Sequence, residues 1–158
     1  MRTFFTGIHK LQNLAFIIFC LTLIPAVSSA RAENIYPLRI NDSISATFCE
    51  YRNGHLHAGD DVRTLRRTKI PVLAPCDGKI IKLNGDENGY GMLLTMEGND
   101  GKKYSFAHLD SFENDRLKLG ALMEAARIKA QRRFPFEADL ASSDIKVKKG
   151  ELIAYSGD

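Results

Sequence analysis

After the first 32 residues the chain has three histidines, His55, His57 and His108, and two of them share one short run, GHLHAGDD, with Asp60 and Asp61. Imidazole nitrogen and carboxylate oxygen are both good donors to zinc. Side chains alternate in direction along an extended segment, so His57, Gly59 and Asp61 are expected on one face, with Gly59 leaving room above it. A His and an Asp placed in this way can reach one metal ion. The same letters also suit a solvated loop, and H-x-G-x-D alone does not decide between the two. His108 lies in YSFAHLD, at the end of an expected strand, where an isolated histidine is more often structural than catalytic.

Short strands divided by Gly, Asn and Asp turns would have to position these groups. Residues 45–52 carry β-branched and aromatic side chains suited to a strand. Residues 71–83 hold two short apolar runs broken at Asp77-Gly78, and 84–89 (NGDENG) read as a turn-rich loop. Residues 90–97 and 102–109 are strand candidates separated by Gly98-Asn99-Asp100-Gly101, a hairpin signal. Two further strands are expected at 145–147 and 152–155. Residues 113–132 break this pattern: apolar Leu117, Ala121, Met123 and Ile128 stand among good helix formers, which predicts a helix covering one side of the sheet. The expected class is mainly β, with one inserted helix.

Composition bounds the function. The chain has 158 residues, 44% hydrophobic and 26% charged, as in an ordinary globular domain rather than a disordered one. Arg2 and Lys10 precede an almost wholly apolar run at 14–24, and small residues follow at 28–32, the plan of a secretory signal peptide. The run is nearer 11 residues than the roughly 20 needed to span a bilayer, so cleavage is expected over a retained anchor. Phe19 before Cys20 does not suit a lipidation site. The expected organisation is therefore a leader at 1–32 and one exported domain at 33–158, in the periplasm or outside the cell, with no stable membrane insertion once the leader is removed. Loss of Arg2, Lys10 and Arg31 leaves 22 − 3 = 19 basic side chains against 19 acidic ones, and that neutral balance gives no support for nucleic-acid binding. Cys49 and Cys76 then remain as a pair in an oxidising compartment. They could be two free thiols, or a disulfide closing a loop of about 28 residues with roughly 3 kcal/mol of stabilisation.

Several ordered blocks together resemble the LytM/lysostaphin-type zinc peptidases. FCEYRNGHLHAGDDVRT (48–64) is similar to their first metal-binding stretch, and IPVLAPCDGKII (70–81) to the strand-turn-strand after it. GYGMLLTMEGNDGKKYSFAHL (89–109) resembles the glycine-rich strand pair leading to Y-x-x-H-L, and IKVKKGELIAYSGD (145–158) the segment before the last motif. The helix with FPFEADL (134–140) looks like an insertion found in one branch of that family. The resemblance implies an antiparallel, barrel-like β-sandwich (a duplicated hybrid motif) and a zinc endopeptidase acting on stem or cross-link peptides of bacterial peptidoglycan. It makes His57 and Asp61 zinc ligands, His108 a catalytic or orienting histidine, and Tyr51 a donor to the developing oxyanion. Zinc would polarise the scissile carbonyl and activate water while a histidine takes the proton. Cys49 and Cys76 stand where small residues such as Gly and Ala are expected.

One departure bears on activity. The family completes its site with a C-terminal H-L-H shortly after an S-G-x-T-G turn, supplying the third ligand and the general base. This sequence runs to Ser156-Gly157-Asp158, inside that turn. His55 is expected to flank the site rather than fill the gap. Two ligands predict weak zinc binding and little turnover, because a catalytic zinc normally has three protein ligands and an open position. The alternatives are a non-catalytic domain of the same type that binds cell wall or regulates another hydrolase, and a biotinyl/lipoyl-type carrier. APCDGKIIKL and VKKGELIA resemble the two halves of the carrier fold, but neither Lys79 nor Lys82 has the methionine neighbour typical of a carrier lysine.

Overall fold

In the computed structural model, residues 33–40 and 43–157 are described, and the expected leader at 1–32 lies outside them. The chain is mainly β and its strands pair antiparallel. The order is β1 (Ile44–Ala46), β2 (Tyr51–Arg52), β3 (His55–Leu56), β4 (Asp61–Val62), β5 (Pro71–Leu73), β6 (Gly78–Asp86), β7 (Gly91–Gly98) and β8 (Lys103–Phe112). One helix, α1 (Leu119–Ala130), precedes β9 (Phe136–Asp139), β10 (Ile145–Val147) and β11 (Leu152–Ser156). None of the described helices is long and apolar enough to cross a membrane.

The large sheet grows around β6, β7 and β8, the longest strands. Their inward positions alternate as a half-buried strand requires, and Ile80, Leu83, Leu94 and Met96 are fully enclosed. The β7–β8 turn falls where the Gly-Asn-Asp-Gly signal puts it: Gly101 takes φ 79° and its N–H donates to the Gly98 carbonyl at 3.0 Å. Chain order and sheet order then part. β11 runs between β8 and β5, while β10 and β9 share the free side of β6, pairing with its first and second halves. The sheet does not close into a barrel.

The segment expected as an insertion thus contributes a strand. Asn84, Gly85 and Asp86, expected as loop, extend β6 instead: all three pair with β7, and Asn84 and Gly85 pair with β9 as well. Gly85 is needed there, because a Cβ would strike the Phe136 ring. The helix begins at Leu119 rather than near residue 113, and buried Glu113 is the reason. Its carboxylate accepts the N–H groups of Asp115 at 2.6 Å, Arg116 at 2.8 Å and Leu117 at 2.6 Å, which holds those residues in a bend. Burial pushes the Glu113 carboxyl up, but these three donors and the Arg116 charge outweigh it and hold it below the ordinary value. The helix buries Leu119 and packs Leu122, Met123 and Ala126 on the core, while Ala121 and Ile128, expected on that face, are exposed. The true stripe follows i, i+3, i+4, i+7 from Leu119.

Candidate metal site

Residues 43–64 form two small ladders of their own. β1 pairs with β4, setting Ile44 opposite Val62, and β2 pairs with β3, setting Tyr51 opposite Leu56 and Arg52 opposite His55. The tight connection is Asn53-Gly54, with Gly54 at φ 89°. Asn-Gly is the strongest two-residue hairpin signal, and it could have revealed this hairpin from sequence, where 45–52 had been read as one strand. Instead the chain turns after β1, with Cys49 in the left-handed region at φ 65°. His57 is fastened at this turn: its N–H donates to the Glu50 carbonyl and its own carbonyl accepts the Cys49 N–H, both at 2.8 Å.

His57 and Asp61 do meet, but not as neighbours on one strand face. Residues 57–60 are loop, and the fold of that loop brings His57 Nε2 to 3.1 Å from Asp61 Oδ1. On the other side of the ring Nδ1 lies 3.0 Å from the Thr47 carbonyl oxygen. A carbonyl can only accept, so Nδ1 carries a proton and donates it. In the neutral ring Nε2 then presents its lone pair to a carboxylate. Two lone pairs facing each other require a proton or a cation between them, and a backbone carbonyl fixing the ring in this tautomer is the usual support of a metal-binding histidine.

The pair is not free of competition. Arg52, across the hairpin, donates from Nη2 to Asp61 Oδ2, and its Nε lies 3.9 Å from Glu50 Oε1. Asp60 is spent on structure, accepting the Phe48 N–H at 2.9 Å. Nothing in the sequence pattern singles out Arg52; it faces His55 across the β2–β3 hairpin and meets Asp61, on β4, only in the folded segment. Among the described residues no group of three His, Cys, Asp or Glu is arranged to hold a metal ion. The donor set fits zinc in type and spacing, but supplies two ligands.

His108 and Tyr51 stand outside the pair. His108 is not at a strand end: β8 continues to Phe112, and His108 sits at an irregularity where Leu94 faces Phe106 but Met92 faces Leu109. It takes φ 52°, is exposed, donates its N–H to the Tyr90 carbonyl at 2.9 Å and accepts the Gly157 N–H at 2.8 Å. Bulges of this kind re-aim a side chain away from the ladder. No described hydrogen bond or ion pair joins His108 to His57 or Asp61. Tyr51 is 75% exposed, next to exposed Leu56, and its hydroxyl makes no described hydrogen bond. His55 is exposed, opposite Arg52.

Cys49 and Cys76 are free thiols, Cys49 exposed and Cys76 buried. Burial and the nearby Asp100 push the Cys76 thiol up. Beside it, Tyr104 donates to Asp100 at 2.6 Å, and burial together with that bond pushes its hydroxyl up to about 12.

No family model matches the chain, and no curated protein or solved structure matches it.

Proposed function

We propose that His57 and Asp61 are two ligands of a zinc site in an exported domain of the LytM/lysostaphin type, directed at the peptides of bacterial peptidoglycan. The approach of His57 Nε2 to Asp61 Oδ1, with Nδ1 committed to the Thr47 carbonyl, carries this reading. The ordered motifs carry the choice of family and substrate. Zinc bound there would supply Lewis-acid polarisation of a carbonyl and activation of water. The chain's own part is to hold the imidazole in the metal-binding tautomer and to supply one negative charge. His108 and Tyr51 are proposed, on the resemblance alone, as the proton-handling and oxyanion-binding groups.

His57 and Asp61 by themselves would hold a metal weakly, because a catalytic zinc normally has three protein ligands and an open position. The second reading is a non-catalytic domain that binds wall peptides or regulates another hydrolase. Zinc titration by calorimetry, with metal content checked by atomic absorption, tests the site. The wild-type chain is expected to take up zinc weakly, and His57→Ala and Asp61→Asn to take up none. Full occupancy in His57→Ala would remove the ligand assignment. Release of new amino groups from purified peptidoglycan by the zinc-loaded chain separates the readings: release supports the peptidase, and its absence with zinc bound supports the binding domain.

A further inference from the structure

The end of α1 and the turn after it gather Arg127, Lys129, Arg132 and Arg133 within residues 127–133. Cations at a helix C-terminus oppose the negative end of its dipole, which accounts for part of the cluster. The rest goes beyond what the helix needs. Arg127 lies 5.3 Å from the Phe134 ring centre and 5.0 Å from that of Phe136, and Arg133 lies 5.6 Å from Phe134. These ring contacts hold the guanidinium groups in place without cancelling their charge. Among the described residues the one ion pair in the cluster is Arg127 with Glu124 at 3.6 Å, while Lys129 and Arg132 are exposed and make none. Together Arg127, Arg132, Arg133, Gln131, Glu124 and Ile128 line an open cleft of about 430 Å³. The buried Nε of Arg127 has no acceptor among the described residues.

Ile128 decides what the cleft suits. It is 70% exposed in the middle of this cationic rim. A soluble phosphate would gain nothing from a bare aliphatic side chain. At a bilayer surface, guanidinium groups meet lipid phosphates while an aliphatic side chain enters the headgroup–acyl boundary. We infer that the C-terminal end of α1 is a docking surface for an anionic phospholipid bilayer. The attraction is local, since residues 33–158 carry 19 basic and 19 acidic side chains. It lies on a different part of the chain from His57 and Asp61 and does not depend on the zinc reading.

The chain has no tryptophan, so Ile128→Trp places one fluorophore in the patch and reports on that position alone. Vesicles of phosphatidylglycerol are expected to shift its emission to the blue, and added salt to reverse the shift. Adding Arg132→Gln and Arg133→Gln to this variant is expected to weaken the response about thirtyfold, each cation near an anionic surface being about a fivefold factor. An emission unmoved by anionic vesicles overturns the inference. So does an equal shift with phosphatidylcholine vesicles, which would show apolar adsorption only. An equal shift with inorganic phosphate alone overturns it in favour of a soluble anion.

Discussion

Asp61 is claimed from two sides, and its division between them sets the behaviour of the site. Oδ1 faces His57 and Oδ2 takes the Arg52 guanidinium. If His57 and Asp61 hold zinc, Arg52 competes with the metal for the carboxylate, and Arg52→Gln should tighten zinc binding several-fold in the same calorimetric titration. If the three instead form only a structural clasp, that variant should loosen residues 43–64 and leave zinc uptake unchanged. Glu113 is a second residue whose charge does one identifiable job, accepting three backbone donors while buried. Its folded-state pKa is lowered, so its stabilisation is present above the unfolded carboxylate value of about 4.3 and is lost as pH falls through the lower folded value. Glu113→Gln keeps one acceptor oxygen and gives up the other. It is expected to cost about 1–3 kcal/mol at neutral pH, and to flatten the acid limb of stability measured by urea unfolding across pH.

At the scale of the element, α1 shows how a helical pattern can give the right type and the wrong face. Leu119 is fully enclosed, and Leu119→Ala is expected to cost about 2–5 kcal/mol in urea unfolding. Ile128 lies on the opposite side, and Ile128→Ser should stay within about 0.5 kcal/mol of wild type. The reverse ranking would mean that the helix packs on the face first expected from Ala121 and Ile128. β9 teaches the same lesson for strands. Its four residues cover the half of β6 that β10 leaves open, so part of the segment expected as an insertion forms an edge of the main sheet.

In the molecule as a whole, the β-sheet core and the segment with the candidate metal site differ in how firmly they are built. β6, β7 and β8 pair over most of their length and enclose the core, whereas residues 43–64 hold strands of two or three residues and show Ile44, Phe48, Tyr51 and Leu56 to solvent. Segments with few buried apolar contacts open well below the global unfolding free energy. Hydrogen exchange is therefore expected to be fast across 43–64 and slow in β6–β8. Zinc should slow exchange at the Cys49 and His57 amides and leave β6–β8 unchanged. Protection confined to another region would place the metal elsewhere.

Much of this was legible locally. Short apolar runs between Gly, Asn and Asp turns specify antiparallel strands, because period-two alternation and turn chemistry act within a few residues. His57 and Asp61 do come within reach of each other, but through the loop at 57–60 rather than the shared strand face that alternation predicts. Asn53-Gly54 was legible too, but its consequence was not. Arg52 faces His55 across that hairpin, and its contact with Asp61, on β4, comes only with the folded segment. The bulge that turns His108 outward, the union of β9 with β6, and the buried face of α1 were likewise settled by partners far away in sequence. A strand's pattern says which side chains share a face, but its neighbour and register follow from which pairing buries the most apolar surface without orphaning backbone donors. That choice belongs to the assembled fold.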